Sequence, residues 1–208
     1  LLIVNNCQLL YNSSKIFLKG CVMLIVKELQ VPIKVRALKA LLRRIPASHP
    51  KRVLIEEELA IATAGYKGEQ SMRYYIEHIN EKYHHYYFNI RLPTVHNNTY
   101  FQIDLLLITP SYIASFESKN MQGTLTFDFQ ARQLIQKTQD EEIGYNDPIQ
   151  QIARQEKQFK EWLTKRKLPI PPLLSTIVVT NPHSIIKFYP ERIPTSLYQK
   201  VIKGDYLE

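Results

Sequence analysis

Two apolar runs of strand length, Phe101–Ile108 and Ile113–Asn120, carry charged side chains that packing alone does not call for. Asp104 sits inside the first run, between Ile103 and Leu105. Glu117 and Lys119 sit near the end of the second, after Ile113, Ala114 and Phe116. Strand side chains alternate faces, so Glu117 and Lys119 point the same way, roughly 7 Å apart along the strand. A buried carboxylate is costly unless a partner or a metal satisfies it. A fold for this chain must therefore bury two neighbouring strands and still satisfy the charges set into them.

The surrounding pattern supplies the rest of an α/β architecture. Val35–Arg44 reads as a short helix with Leu38, Leu41 and Leu42 on one side and bases opposite. Pro46, Ser48 and Pro50 form a break. Lys51–Ala64 is a second predicted helix, with Gly65 and Gly68 punctuating its end. Glu69–Asn80 is a third, with Met72, Tyr75, Ile76 and Ile79 at helical spacing. Strands are expected at Tyr86–Leu92, Tyr100–Thr109 and Tyr112–Lys119, then a hairpin at Gly123–Phe129 and Arg132–Gln136. Asn146-Asp147-Pro148 is a helix start, a capping side chain followed by proline, and that helix should run to about Lys167. Leu174–Thr180 reads as a buried strand and Ile185–Phe188 as a short one. Helices, a strand meander, a helix and a further strand predict a mixed β-sheet flanked by helices.

Composition narrows the class. With 208 residues, 13 Tyr and only 6 Gly, the chain is long enough for one domain with a real core. The net charge of +8 favours a polyanionic partner, although many basic proteins bind no nucleic acid. The only two cysteines, Cys7 and Cys21, both precede Met23. The expected folded body then has no disulfide framework, which suits a reducing cytoplasm. The apolar stretch Ile16–Val26 is broken by Lys19 and Gly20, too short to span a bilayer, and lacks a small-residue cleavage site. Residues 1–22 are read as upstream or disordered sequence, with Met23 as a native start.

The chemistry of these residue types is that of phosphodiester hydrolysis. That reaction needs charge neutralised on the phosphoryl group and an activated water. A Mg²⁺ or Mn²⁺ ion held by one or two carboxylates does both. Asp104 and Glu117 are the expected metal ligands, with the Ser118 carbonyl as a further one. Lys119 would hold the water or stabilise developing negative charge. Glu-x-Lys alone is common as a solvated pair on a strand face; the leucine-rich flanks of Asp104 argue against that here. Gln151, one turn into the Asp147 helix, would orient Lys119 or the water, and Arg154 would contact phosphate. Glu69, in the first turn of the third predicted helix, reads either as a dipole-capping acid or as part of the site. His84 and His85 are adjacent, so on a strand they face opposite ways and cannot chelate together. The tyrosines of Tyr83–Phe88 read either as core or as base-stacking surface. No phosphate-binding glycine loop and no Gly-x-Ser-x-Gly is present.

The ordered set Gly68-Glu69, Phe101-Gln-Ile-Asp104, Glu117-Ser-Lys-Asn120 with Gly123, then Asp147-Pro148 and Gln151, resembles the nuclease-related domain known as NERD. Such domains belong to the restriction-endonuclease-like PD-(D/E)XK superfamily. The resemblance covers roughly residues 65–180. It implies a restriction-endonuclease-like core with an N-terminal helical extension, a Mg²⁺ or Mn²⁺ site at Asp104 and Glu117, Lys119 beside it, Glu69 as an outer acid and Gln151 as the helix glutamine. Two positions depart from the family pattern: Ser118 where an apolar residue is usual, and Asp147 where Asn is usual. Neither removes an expected ligand. The expected division is a helical region at 23–64, the nuclease-like domain at 65–190 and a C-terminal tail at 191–208 that a longer natural chain would continue.

Three functions follow as expectations. The first is a metal-dependent nuclease acting on DNA. The second is a non-cleaving nucleic-acid-binding module on the same fold. The third is an interaction protein whose positive charge serves solubility. The intact Asp104, Glu117 and Lys119 favour the first.

Overall fold

The computed structural model describes residues 24–77, 83–96 and 98–207, with two short hairpins earlier in the chain, Ile3–Val4 with Cys7–Gln8 and Leu10–Asn12 with Lys15–Phe17. The reading of residues 1–22 as upstream or disordered sequence falls largely outside the described residues. So do Cys21, Met23, His78 and the end of the third predicted helix at Asn80.

The body opens with β1 (Leu24–Lys27), α1 (Ile33–Leu42) and α2 (Arg52–Glu77). Then come β2 (His85–Pro93), β3 (Tyr100–Ile108), β4 (Ile113–Lys119), β5 (Thr124–Asp128), β6 (Gln133–Lys137) and β7 (Glu142–Asn146). The chain finishes with α3 (Pro148–Lys165), β8 (Leu173–Val179), β9 (Ile185–Tyr189), α4 (Thr195–Tyr198), β10 (Val201–Lys203) and a 3₁₀ turn at Gly204–Leu207. A six-stranded mixed sheet runs in the order β10-β8-β4-β3-β2-β1. The β2–β3 and β3–β4 pairs are antiparallel, and β4–β8, β8–β10 and β1–β2 are parallel. A four-stranded sheet, β7-β6-β5-β9, carries the chain from the end of β4 to the start of α3.

Each face of the large sheet buries one helix. Met72 and Ile76 of α2 pack on Tyr86, Phe88, Leu105, Leu107, Ala114 and Val178. Phe159, Trp162 and Leu163 of α3 pack on Tyr87, Phe101, Ile103, Leu106 and Ile113. The second sheet adds Leu125, Phe127 and Leu134 against Ile152, Ile177 and Val179. Burial on both faces explains the near-continuous apolar runs of β3 and β8. The Tyr86–Phe88 aromatics belong to this core and are not a stacking surface. Among the described residues no helix is long and apolar enough to cross a membrane.

The structure corrects the helix boundaries. The second and third predicted helices are one helix, α2, which runs unbroken through Gly65 and Gly68. A glycine in a helix interior costs about 1 kcal/mol relative to alanine, which tertiary contact can offset. At Gly68 that contact is a close approach to β4. An added Cβ would lie 2.5 Å from Ser118 Oγ and 2.8 Å from Asn120 Cβ. Asn120 Nδ2 donates to the Ala64 carbonyl at 2.8 Å and fastens the same contact. Gly65 has open space around it, and nothing in the structure explains it. Three strands of the body, β1, β7 and β10, have no counterpart in the sequence reading. β7 is almost wholly exposed, so it pairs through its backbone with no burial pattern to announce it. β10, inside the segment read as a tail, pairs with β8 over only three residues.

Candidate active site

The β3–β4 ladder runs through Ile108–Ile113, Leu107–Ala114, Leu106–Ser115 and Leu105–Phe116, and then stops. The next residue on each strand is Asp104 or Glu117, so the carboxylates stand where the hairpin forks. Here a side chain takes over from the backbone: Asp104 Oδ2 accepts the Ser118 main-chain N–H at 3.0 Å. The β2–β3 ladder is also interrupted at this level. Its register is constant on both sides of Asn89 and Asp104, but these two residues do not pair. Asn89 has a left-handed φ of 49°. Tyr87 and Ile90 pack on the same side, as do Ile103 and Leu106, so both strands exchange faces across this point.

Glu117 is 6 % exposed and so needs partners for its charge. Its Oε1 accepts from Lys119 Nζ at 2.8 Å and from Gln151 Nε2 at 2.6 Å. Its Oε2 accepts from Gln155 Nε2 at 3.0 Å. Gln151 Oε1 in turn accepts from Lys119 Nζ at 3.1 Å. Gln151 and Gln155 are one turn apart on α3 and so share a face. The start of that helix is fixed locally, since Asp147 Oδ1 accepts the Ile149 N–H at 2.9 Å and Pro148 occupies the first turn. Gly123, with φ 82°, begins the excursion to the second sheet where an added Cβ would strike the Lys137 carbonyl.

The charges are unequal. Burial first, and then Glu117 and Glu69, push the Asp104 carboxyl up from 3.8 to about 7, against the opposing Ser118 amide and Lys119. Glu69 is also raised, first by burial and then by Glu117, against the hydrogen bond from Asn89. Three acids thus sense one another around a single lysine. Among the described residues no three His, Cys, Asp or Glu side chains converge closely enough to hold a metal ion together.

Of the residues singled out in the sequence, Asp104, Glu117, Lys119 and Gln151 come together. Glu69 is adjacent, but it lies in the middle of α2, not in a first turn. The helix-dipole reading therefore falls, because that effect is confined to the terminal turn. Its Oε2 accepts from Asn89 Nδ2 at 2.6 Å. Arg154 is exposed on α3, and none of the hydrogen bonds among these residues includes it. Ser118 turns its side chain toward Gly68, where its Oγ is buried with no hydrogen-bond partner. The serine where an apolar residue was expected therefore packs against α2 and leaves the fork to its own amide. His85 is buried in the sheet with Nδ1 3.2 Å from the Tyr83 carbonyl, and His84 Nδ1 lies 3.4 Å from Tyr86 Oη.

Three residues had no role in the sequence reading. Gln155 is placed near the Gln151 face by its spacing, but that spacing gave no sign of its bond to Glu117. Gln102 lies two residues before Asp104, and its Nε2 reaches Asp104 Oδ1 at 3.4 Å. Asn89 gave one weak signal: a residue tolerant of left-handed backbone inside an aromatic strand.

A family model described as nuclease-related domain matches residues 64–180, beginning inside α2 and ending just past β8. No curated protein and no solved structure matches the chain. The match spans more than half of the sequence and contains Glu69, Asp104, Glu117, Lys119 and Gln151. The chain belongs to the nuclease-related domain family, NERD, and has the restriction-endonuclease-like α/β fold that its motifs led us to expect.

Proposed function

We propose that this protein is a metal-dependent phosphodiester hydrolase acting on DNA, with its site at the β3–β4 fork. The observation that carries the proposal is the pair of carboxylates, Asp104 and Glu117, placed where the ladder opens with Lys119 beside them. The donor set fits a hard cation: oxygen ligands only, acid in excess of base, and one acid raised to about 7 by its neighbours and its burial. Mg²⁺ is commonly held by one or two carboxylates plus waters and substrate oxygens, so a third converging acid is not required. Bound by Asp104 and Glu117, Mg²⁺ or Mn²⁺ would neutralise charge on the phosphoryl group and acidify an attacking water.

The remaining parts belong to the chain. Gln151 and Gln155 donate to both oxygens of Glu117 and hold its plane. Lys119, tethered to Glu117 and Gln151, is a cation positioned to hold water or to stabilise charge on a phosphoryl oxygen. Ser118 fixes Asp104 through its main-chain N–H. The net charge of +8 suits a polyanion, and Arg154 on the exposed face of α3 is a candidate phosphate contact.

A second reading, a module that binds nucleic acid without cutting, draws on two observations: Glu69 is turned to Asn89, and no triad of acids converges among the described residues. Incubating plasmid, single-stranded DNA and RNA with the protein and Mg²⁺ or Mn²⁺ separates the two. The hydrolase reading expects cleavage that chelation stops and that Asp104→Asn and Lys119→Ala each remove. Binding without any cleavage by the wild type would establish the module instead, and cleavage of RNA alone would change the substrate.

A further inference from the structure

We propose that Asn89 is a positioning residue of this site: its left-handed turn in β2 opens the sheet opposite Asp104, and its side-chain amide ties Glu69 and Gln102 into the acidic cluster. The role rests on the hydrolase reading above.

Two independent features meet at this residue. The first is the backbone. Asn89 has φ 49° inside an otherwise extended strand. Asparagine tolerates this region better than most residues, but it is still a conformation that persists only when its surroundings impose it. Its consequence is visible on both sides. The Asn89–Asp104 pair drops out of a ladder that is otherwise continuous from His85–Ile108 to Pro93–Tyr100. From here β3 presents Phe101 and Ile103 to α3, whereas Leu105 and Leu107 face α2. A regular strand would have kept all four on one face. Asp104 is the residue at the crossing, released from the ladder. Lys27 of β1 donates through Nζ to the Asn89 carbonyl and holds the turned peptide from the far side.

The second feature is the side chain. An amide offers donors on one side and an acceptor on the other. Asn89 Nδ2 donates to Glu69 Oε2 at 2.6 Å, and Asn89 Oδ1 accepts from Gln102 Nε2 at 3.1 Å. Gln102 continues the chain in two directions. Its Nε2 lies 3.4 Å from Asp104 Oδ1, and its main-chain carbonyl accepts from Gln155 Nε2 at 2.9 Å. That same Gln155 nitrogen donates to Glu117 Oε2. Every acid of the cluster is therefore connected to Asn89: Glu69 directly, Asp104 through Gln102, and Glu117 through Gln102 and Gln155. Aspartate at this position would keep the backbone preference but face Glu69 with a second acceptor. Alanine would lose the amide and fit the backbone poorly.

Asn89→Gly separates the two features, because glycine keeps the left-handed backbone without strain and removes only the amide. Thermal unfolding in chelator, calorimetric Mn²⁺ binding and DNA cleavage would be measured for wild type, Asn89→Gly, Asn89→Asp, Glu69→Gln and the Asn89→Gly/Glu69→Gln double variant. Asn89→Gly should unfold within a few degrees of wild type, bind Mn²⁺ several-fold more weakly and cleave at least tenfold more slowly. Asn89→Asp should be at least as impaired. Adding Asn89→Gly to Glu69→Gln should cost less than Asn89→Gly costs the wild type, since part of the amide's action passes through that acid. Wild-type cleavage and Mn²⁺ affinity in Asn89→Gly, or losses at the two positions that simply multiply, would overturn the role while leaving the hydrolase reading intact. If Asn89→Gly does not fold, Asn89→Asp decides by the same criteria. A wild type that neither binds Mn²⁺ nor cleaves would overturn the hydrolase reading, and this role with it.

Discussion

The two ends of the β3–β4 hairpin are made of the same strands and do opposite things. At the turn end the ladder is complete, and the side chains from Leu105 to Ile108 and from Ile113 to Phe116 pack mainly into the cores beneath both helices. Thr109 closes the turn on itself, its Oγ1 donating to the Tyr112 carbonyl at 2.9 Å and accepting the Ser111 and Tyr112 N–H groups. Beyond the turn, Ser115 Oγ donates to the Leu174 carbonyl and Ser175 Oγ, so these polar groups are satisfied within the sheet. At the fork end the ladder has stopped, and polar groups are satisfied by side chains brought from α2, α3 and β2. One end holds the sheet together. The other spends stability to hold partly buried charged groups together.

That contrast can be broken experimentally. The largest effect should be on chemistry at the fork. Lys119→Ala and Asp104→Asn should each lower DNA cleavage by a factor on the order of 10²–10³ or more, measured on plasmid substrate; Asp104→Asn should leave the unfolding temperature unchanged or raised, whereas Lys119→Ala should lower it, because the buried Glu117 loses its cation. Asparagine keeps an acceptor for the Ser118 amide, so loss of fold would not be the cause. At the turn end the balance reverses. Leu105 is fully buried, and Leu105→Ala should cost about 2–5 kcal/mol in denaturant unfolding by leaving a cavity under α2.

Proton linkage sharpens the comparison further. Asp104 has a folded-state value of about 7, above its ordinary 3.8. Between those values the folded protein holds a proton that the unfolded chain releases, so this group's contribution makes stability fall as pH rises through the window. In chelator, wild-type unfolding temperature relative to Asp104→Asn should therefore drop from pH 4 to pH 7 and level off above it. Adding Mg²⁺ at pH 8 should restore part of the difference, because a cation stabilises the ionised form. A parallel pH response in the two proteins would refute the electrostatic account. The smallest effect belongs to the contact between α2 and β4. Ser118 Oγ is buried without a hydrogen-bond partner, so Ser118→Ala should be neutral or stabilising by about 1 kcal/mol, with cleavage unchanged because the amide that serves Asp104 remains. A marked loss of cleavage in Ser118→Ala would show that the hydroxyl itself acts at the fork.

Much of this was legible from residue types and spacing. β3 and β4 follow from their apolar runs, and the Asp147-Pro148 start of α3 follows from capping chemistry that acts within one turn. The shared face of Glu117 and Lys119 follows from the period of a strand. Gln151 could be placed one turn into its helix by capping, but its expected role at Lys119 could not be drawn from local pattern, because that closeness depends on the excursion through β5, β6 and β7. Gly68 marked a boundary in the sequence and a helix–strand contact in the fold, since a missing Cβ reads the same way in both cases. Asn89 was illegible because its importance lies in one left-handed peptide and two hydrogen bonds to residues 20 and 13 positions away.

The sequence by itself determined which strands are buried, which helix carries the glutamines and which side chains carry charge, because hydrophobic period and capping are properties of neighbouring residues. Only the tertiary structure decided that α2 is continuous, that two strands exchange faces at Asn89 and Asp104, and that Glu69 joins the other acids. Those outcomes depend on contacts between segments far apart in the chain, where packing and hydrogen bonding outweigh local preference.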